Sequence, residues 1–196
     1  MSNKYSVHQL GTQAETYIRK IQEANNNYQK YYGQQHITWL EKAIPDVNNG
    51  LRIAFGAFVN DRLSYQYSAL HSLEIVGSVI TNRVPNPEQT VELKSFMVNK
   101  KAIKSIGHAL YPELDGEEMK SFVKGERFQI RKEIFREVEK YCKKNKLKLI
   151  EVEVPKKNKK LIADMEDLGF EIEEELIYPH YSPQAPMQKF QKAIGW

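Results

Sequence analysis

The sequence predicts a single mixed α/β domain, and three observations carry that prediction. Strand-like segments follow one another up to residue 98 with no helix-length segment between them. Residues 128–144 then form an amphipathic helix, and residues 147–154 (LKLIEVEV) alternate strictly between apolar and polar residues. Strands joined directly should pair antiparallel, whereas strands joined through a helix should be parallel. We therefore expect a central mixed sheet with an antiparallel N-terminal half and a β-α-β-α-β C-terminal half.

Two helices are predicted in the N-terminal region. Residues 8–32 have apolar residues at helical spacing and predict a polar helical arm. A second, short helix is expected over 38–44, ended by Pro45. We place the boundary of this N-terminal region at residues 1–48.

The strands and helices that follow are predicted in chain order. Strands are expected at 51–59, 74–84 and 90–98, with an insertion at 64–73 and a loop at 85–87. After them we expect a short helix at 102–110, a loop or broken helix at 113–126 (an insertion near 111–127), the long helix, a strand at 147–154, a helix at 158–168, a strand at 170–178, and a Pro-containing tail at 179–196.

Composition excludes several classes of protein. With 196 residues, 41% of them hydrophobic, the chain suits one compact domain. Cys142 is the only cysteine, so an internal disulfide is impossible and a cysteine-based metal site is not expected. The histidines are scattered, so no metal site is predicted. No apolar run reaches membrane-spanning length and the first residues lack a signal pattern, which favours a cytoplasmic setting.

Positive charge is concentrated in one part of the chain. Of the 29 Lys and Arg residues, 18 fall between Lys100 and Lys160, against 10 acidic residues there. This excess favours an anionic partner such as a phosphorylated cofactor or nucleic acid, although a solvated lysine-rich helix face has the same pattern. Motifs that read nucleic-acid bases are missing from the sequence.

The segment after strand 147–154 carries a family resemblance. PKKNKKLIADMEDLGFEI resembles the helix-to-strand segment of the GNAT N-acetyltransferase superfamily, whose members typically have an Asn followed seven residues later by a Tyr in a YEKLGF-like ending. Here Asn158 is followed by Met165 in MEDLGF, so the chain resembles a divergent member. The resemblance covers residues 49–178, and it implies the GNAT fold, with acetyl-CoA as co-substrate and Asn158 among the cofactor-binding residues.

The strand VELKSFMVN at 91–99 resembles the central strand of the same superfamily. In that family the strand is splayed from its neighbour, and its backbone binds the pantetheine arm and the thioester carbonyl. The resemblance implies that Phe96, Met97 and Val98 supply this backbone. Glu92 matches a position where some members carry a general base, which is needed because the attacking amine must be neutral. The alternative interpretation of Glu92 is a solvent-facing strand residue.

A pyrophosphate-binding loop should follow this strand, and AIKSIGHAL at 102–110 matches it best. The resemblance assigns Lys104, Ser105, Ile106, Gly107 and His108 to the phosphates, with Gly107 the only glycine retained. A competing match is KGERFQI at 124–130, where Phe128 and Ile130 take the glycine positions.

The departures from the family pattern leave two functions open. Met165 replaces the Tyr that protonates the CoA thiolate, and a thioether has no proton to donate. We predict that Tyr178 takes this role, with Tyr181 in the tail as the alternative. The first hypothesis is an acetyl-CoA-dependent N-acetyltransferase acting on a primary amine. The alternative is an inactive GNAT-like module that binds a protein or nucleic-acid partner, and a homodimer contact through the arm and tail is a further possibility.

Overall fold

The computed structural model describes residues 4–24, 34–61, 66, 75–83, 89–177 and 186–195. The elements it defines are, in chain order, β1 (Tyr5–Gln9), α1 (Ala14–Glu23), α2 (Gln34–Asn48), β2 (Arg52–Val59), β3 (Gly77–Arg83), β4 (Thr90–Val98), α3 (Lys100–Leu110), α4 (Gly116–Lys144), β5 (Leu149–Pro155), α5 (Lys159–Asp167), β6 (Glu171–Ile177) and β7 (Pro186–Ala193).

The strands form one seven-stranded mixed sheet in the order β1-β2-β3-β4-β5-β7-β6. Strands β1 to β4 pair antiparallel, β4 and β5 pair parallel, and β7 lies antiparallel between β5 and β6. The predicted mixed α/β class, the antiparallel N-terminal half and the parallel crossover at β4–β5 are confirmed.

Helices cover both faces of the sheet. The main core lies between the sheet and helices α3, α4 and α5, and it contains the predicted apolar stripe of α4. A second core packs α1 and α2 against the opposite face of the N-terminal strands. At Gly77 the sheet approaches α4 so closely that a Cβ there would lie 2.5 Å from Cγ2 of Ile130.

The N-terminal region differs from the prediction in two ways. Residues 5–9 form the edge strand β1 where the start of a helical arm was expected. Helix α1 then packs into the second core through Ile18 and Ile21, both fully buried, while the predicted helix beyond residue 24 lies outside the described residues. Helix α2 continues through Pro45 to Asn48, because a proline costs a helix one hydrogen bond without always ending it.

The predicted break at 113–126 is wrong, because α4 is one helix of 29 residues. Asp115 caps it by accepting hydrogen bonds from the backbone N–H groups of Glu117 and Glu118. In return, the Glu118 carboxylate accepts a hydrogen bond from the backbone N–H of Asp115. This capping box starts the helix twelve residues earlier than its apolar stripe suggests. Gly125 lies on the exposed side, where it leaves the helix intact.

Part of the predicted tail joins the sheet. Residues 186–193 form β7, which pairs with both β5 and β6. The predicted insertion at 64–73, except Gln66, and the loop at 85–87 lie outside the described residues. Among the helices that the structure describes, none has the length and apolarity to cross a membrane.

Candidate functional site

A cleft opens where the two parallel strands at the centre of the sheet part. The register between β4 and β5 runs from Thr90↔Leu149 to Leu93↔Val152 and ends there. Beyond this point a cavity of about 500 Å³, including its open mouth, separates the strands. Its lining residues are His36, Trp39, Glu92, Leu93, Lys94, Ser95, Phe96, Val152, Glu153, Leu161 and Met187.

A bulge in β4 lies at the same point. Opposite β3, the register steps from Ile80↔Lys94 to Ser78↔Met97, so β4 carries one extra residue. Ser95 there has φ of +56°, a left-handed conformation. That conformation costs a residue with a Cβ about 1–2 kcal/mol, so the surroundings must hold it in place.

The bulge reverses which residues of β4 face the main core. Before it, Val91 and Leu93 are buried in that core, and after it Phe96 and Val98 are. Met97 consequently packs into the second core on the opposite face. This break in the alternation of side chains brings the Ser95 side chain to the α2 side of the sheet, at the wall of the cavity.

Glu92, the predicted general base, lies on β4 just before the bulge. Its side chain is 21% exposed, lines the cavity, and forms an ion pair with Lys94. Its backbone N–H donates to Oδ1 of Asn82 at 3.1 Å, which fixes this part of the strand. A carboxylate in this position is able to accept a proton from a ligand held in the cleft.

Helix α2 supplies an aromatic wall to the cavity. The rings of His36 and Trp39 stack with centroids 5.8 Å apart and an interplanar angle of 21°. The Arg52 guanidinium lies 5.6 Å from the Trp39 ring centroid and is held by Asp46 at 3.0 Å. His36 Nε2 is 3.2 Å from Ser95 Oγ, and burial lowers the pKa of His36 to about 4.

This buried histidine should make the stability of the protein depend on pH. Its pKa rises to about 6.5 on unfolding, so below pH 6.5 the unfolded chain binds a proton that the native protein does not. Stability should therefore be fully present above pH 6.5 and fall as the pH drops towards 4. Between pH 7 and pH 5 the loss attributable to His36 is about 2 kcal/mol.

Urea unfolding at several pH values measures this effect in His36→Gln against the parent protein. We expect the variant to lose about 2 kcal/mol less than the parent between pH 7 and pH 5. The matched control is His8→Gln, which alters an exposed histidine and should leave the slope unchanged. Parallel curves for all three proteins would contradict the prediction.

Two helices begin at the edge of the sheet where β4 and β5 end. Because these strands are parallel, their carboxyl ends lie at the same edge of the sheet, and α3 and α5 start there within a few residues. Asn99 caps α3 through a hydrogen bond from Ala102 N at 3.0 Å, and Asn158 caps α5 through a longer bond of 3.4 Å from Leu161 N. Helix N-termini carry partial positive charge and favour anions.

Cationic side chains gather at the same edge. The pKa of Lys100 is lowered by partial burial and by the nearby charges of Arg127, Lys160 and Arg131. The Arg131 guanidinium lies 6.0 Å from the ring centroid of Phe96 on β4 and pairs with Asp164 on α5. The group therefore bridges α3, α4 and α5, and its mutual repulsion would be relieved by a bound anion.

The predicted pyrophosphate segment lies within the short helix that was expected at 102–110. Lys104, Ser105, Ile106, Gly107 and His108 all lie inside α3, beyond its first turn. A Cβ on Gly107 would come within 2.8 Å of Met119 Sδ, so this glycine permits close packing of α3 on α4. The competing segment at 124–130 is also helical, within α4.

Other predicted site residues are spread between the core and the cleft. Phe96 lines the cavity, whereas the side chains of Met97 and Val98 are buried in the two cores. Met165 is fully buried in the main core. Tyr178 lies outside the described residues. Among the residues that are described, no three His, Cys, Asp or Glu side chains converge as a metal site.

Several cavity residues were not predicted from the sequence. His36, Trp39 and Met187 lie far along the chain from β4, and nothing in the local sequence links them to it. The irregularity at Ser95 was visible in the sequence, because the apolar positions of β4 step from Leu93 to Phe96, three residues later. In a strand, such a step indicates a bulge.

Comparisons with known proteins bear on this geometry. No protein-family model matches the sequence, and no curated protein matches it. Solved structures do match. A probable acetyltransferase from Staphylococcus epidermidis aligns with a TM-score of 0.66 and 11% identity, over 97% of this chain and 99% of that one.

Two further structures differ in what they acetylate. An aminoglycoside 6'-acetyltransferase type Ii has a TM-score of 0.61 at 14% identity, over 97% of this chain and 98% of that one. A ribosomal-protein-S5-alanine acetyltransferase from Vibrio fischeri has a TM-score of 0.59 at 12% identity, over 99% of this chain and 95% of that one. At such identities the likeness establishes the fold, and function must be argued from the site.

Proposed function

We propose that this protein, which has the GNAT acetyltransferase fold, binds acetyl-CoA between β4 and β5 and transfers the acetyl group to a primary amine. The observation that carries the proposal is the end of the β4–β5 pairing at Leu93↔Val152, with a cavity between the strands beyond it. A parallel pair that opens in this way presents strand backbone to an extended ligand. The pantetheine arm, with its two amides, is such a ligand.

The cationic edge suits the phosphate end of the cofactor. We assign the pyrophosphate to the N-terminus of α3, beside Lys100, and the adenosine phosphate to Lys160 and Arg127. Two helix N-termini and these cations supply an electrostatic site without the glycine loop of the family. This assignment moves the phosphates about one helical turn towards the sheet from the segment 104–108.

The chemistry is assigned to residues at the other end of the cleft. Backbone N–H groups of β4 over Phe96, Met97 and Val98 stabilise the developing oxyanion of the thioester carbonyl. Glu92 accepts the proton of the attacking amine, directly or through a water molecule. The CoA sulfur departs as a thiolate, a tolerable leaving group, with Tyr178 as the proposed proton donor and Met165 taking no part.

One observation favours a second candidate, a GNAT-like module that binds a partner without catalysis. The family's glycine loop is replaced by the closely packed α3–α4 pair, and its phenol by a buried thioether. Such a protein would keep the fold and lose affinity for the cofactor.

Isothermal titration of acetyl-CoA and CoA into the purified protein separates the two candidates. The acetyltransferase proposal expects dissociation constants in the micromolar range, and binding would be followed by a screen of amine acceptors. Dephospho-CoA should bind more weakly than CoA, because it lacks the adenosine phosphate. An absence of binding at millimolar ligand would refute the acetyltransferase proposal and favour the partner-binding module.

A further inference from the structure

The β4 bulge is strained, and one side chain from another element contacts it. Ser95 has a left-handed backbone, which glycine adopts readily and serine does not. Such a conformation persists where the surrounding structure holds it, and it concentrates at functional sites. The Ser95 Oγ atom lies 3.2 Å from His36 Nε2 on α2, within hydrogen-bond distance.

His36 is itself held firmly. It is 5% exposed, and its ring stacks on Trp39, which the Arg52 guanidinium covers. Because burial keeps the imidazole neutral at ordinary pH, it retains one donor and one acceptor nitrogen, and either is able to bond a hydroxyl group. The charged groups that line the same cavity are Glu92, Lys94 and Glu153.

The geometry of the bulge decides what the cleft presents to a ligand. Its extra residue lies between Lys94 and Met97, just beyond the last β4–β5 pair at Leu93, and it rotates the backbone of the following residues. We propose that His36 is a positioning residue for acetyl transfer, because its bond to Ser95 holds the bulge that aims the β4 backbone at the thioester. This inference rests on the proposed function. It gives α2 a role in the candidate site.

The test is a double-mutant cycle between these two positions. His36→Phe keeps a ring of similar size and removes the bond, His36→Gln retains a side chain able to bond a hydroxyl group, and Ser95→Gly removes the need for the bond because glycine adopts the left-handed conformation without strain. Affinities for acetyl-CoA and for CoA are measured by titration. Thermal unfolding verifies that each variant is folded.

His36→Phe should weaken acetyl-CoA binding about tenfold in the parent protein, which is the size of the strain that the bond offsets. It should change CoA binding less, since CoA lacks the thioester carbonyl. In the Ser95→Gly background the same substitution should have less than a twofold effect, and His36→Gln should restore part of the lost affinity. These changes in the acetyl-CoA to CoA ratio distinguish positioning from a general loss of packing.

Two outcomes overturn the inference, and they differ from each other. The first is that the parent protein binds acetyl-CoA, but His36→Phe changes the affinity equally in both backgrounds or not at all. In that case His36 does not stabilise the bulge, and the proposed function stands. If the parent protein binds neither CoA form, the proposed function fails and the positioning role fails with it. Hydrogen exchange of the backbone amides of residues 94–97, measured without ligand, then reports whether the contact still orders the bulge.

Discussion

Lys100→Glu should weaken the binding of CoA by about 10- to 100-fold. The ammonium lies at the first position of α3 among Arg127, Arg131 and Lys160, where we place the phosphates. A hydrogen bond to a charged group contributes about 1.5–3 kcal/mol, and each 1.4 kcal/mol is a factor of ten in affinity. An acidic residue is favourable at a helix N-terminus, so the substitution should leave α3 folded and report on the ligand alone.

Titration of CoA at two ionic strengths measures this effect. The loss should shrink at high salt, because exposed charges are screened. Lys143→Glu is the matched control, since it makes the same change of net charge at the far end of α4. Equal losses in the two variants would mean that net charge alone governs binding and that the phosphates do not lie at α3.

Asp164→Asn should destabilise the protein by about 3 kcal/mol. Asp164 pairs with Arg131, whose side chain is 5% exposed. Loss of the carboxylate leaves a buried guanidinium without its paired anion, and the cost is the desolvation that the pair had offset. The positive charges of Lys100, Arg127 and Lys160 nearby should add to that cost, because they repel the guanidinium.

Urea and thermal unfolding measure the change. For a chain of this size, a loss of about 3 kcal/mol lowers the Tm by about 6–12 °C. Asp167→Asn on the same helix is the control, because that side chain is exposed and the effect should stay within about 0.5 kcal/mol. If the two variants unfold alike, the Arg131–Asp164 pair contributes nothing to stability.

The elements with a clear local period were predictable from the sequence. Strand β4 begins and ends at the predicted residues 90 and 98, and the apolar stripe of α4 packs in the main core. The start of α4 was predictable in principle, since Asp115 and Glu118 form a capping box that the flanking glycines obscured. Strand β1 was missed because YSVHQ is short, and β7 because PMQKFQKA is polar without a clear alternation; both are recognised only through their pairing with neighbouring strands.

The candidate site was predictable only in part. A resemblance over 91–99 directed attention to Glu92 and Phe96, and both line the cavity. The same resemblance assigned phosphate binding to residues 104–108, which lie inside α3. A matching glycine in the sequence does not reveal whether it faces a ligand or a second helix. For Gly107 the neighbour is Met119.

The sequence by itself determined the order of the elements from α1 to β6, the mixed sheet and the concentration of positive charge after residue 100, because periodicity and composition are properties of neighbouring residues. The tertiary structure alone decided where β4 parts from β5, that His36 meets Ser95 across 59 positions of the chain, and that Lys100, Arg127 and Lys160 share one edge. Those contacts depend on strand register and on helices packing over the sheet. Both are set by the burial of the whole core, and the local pattern of residues does not specify them.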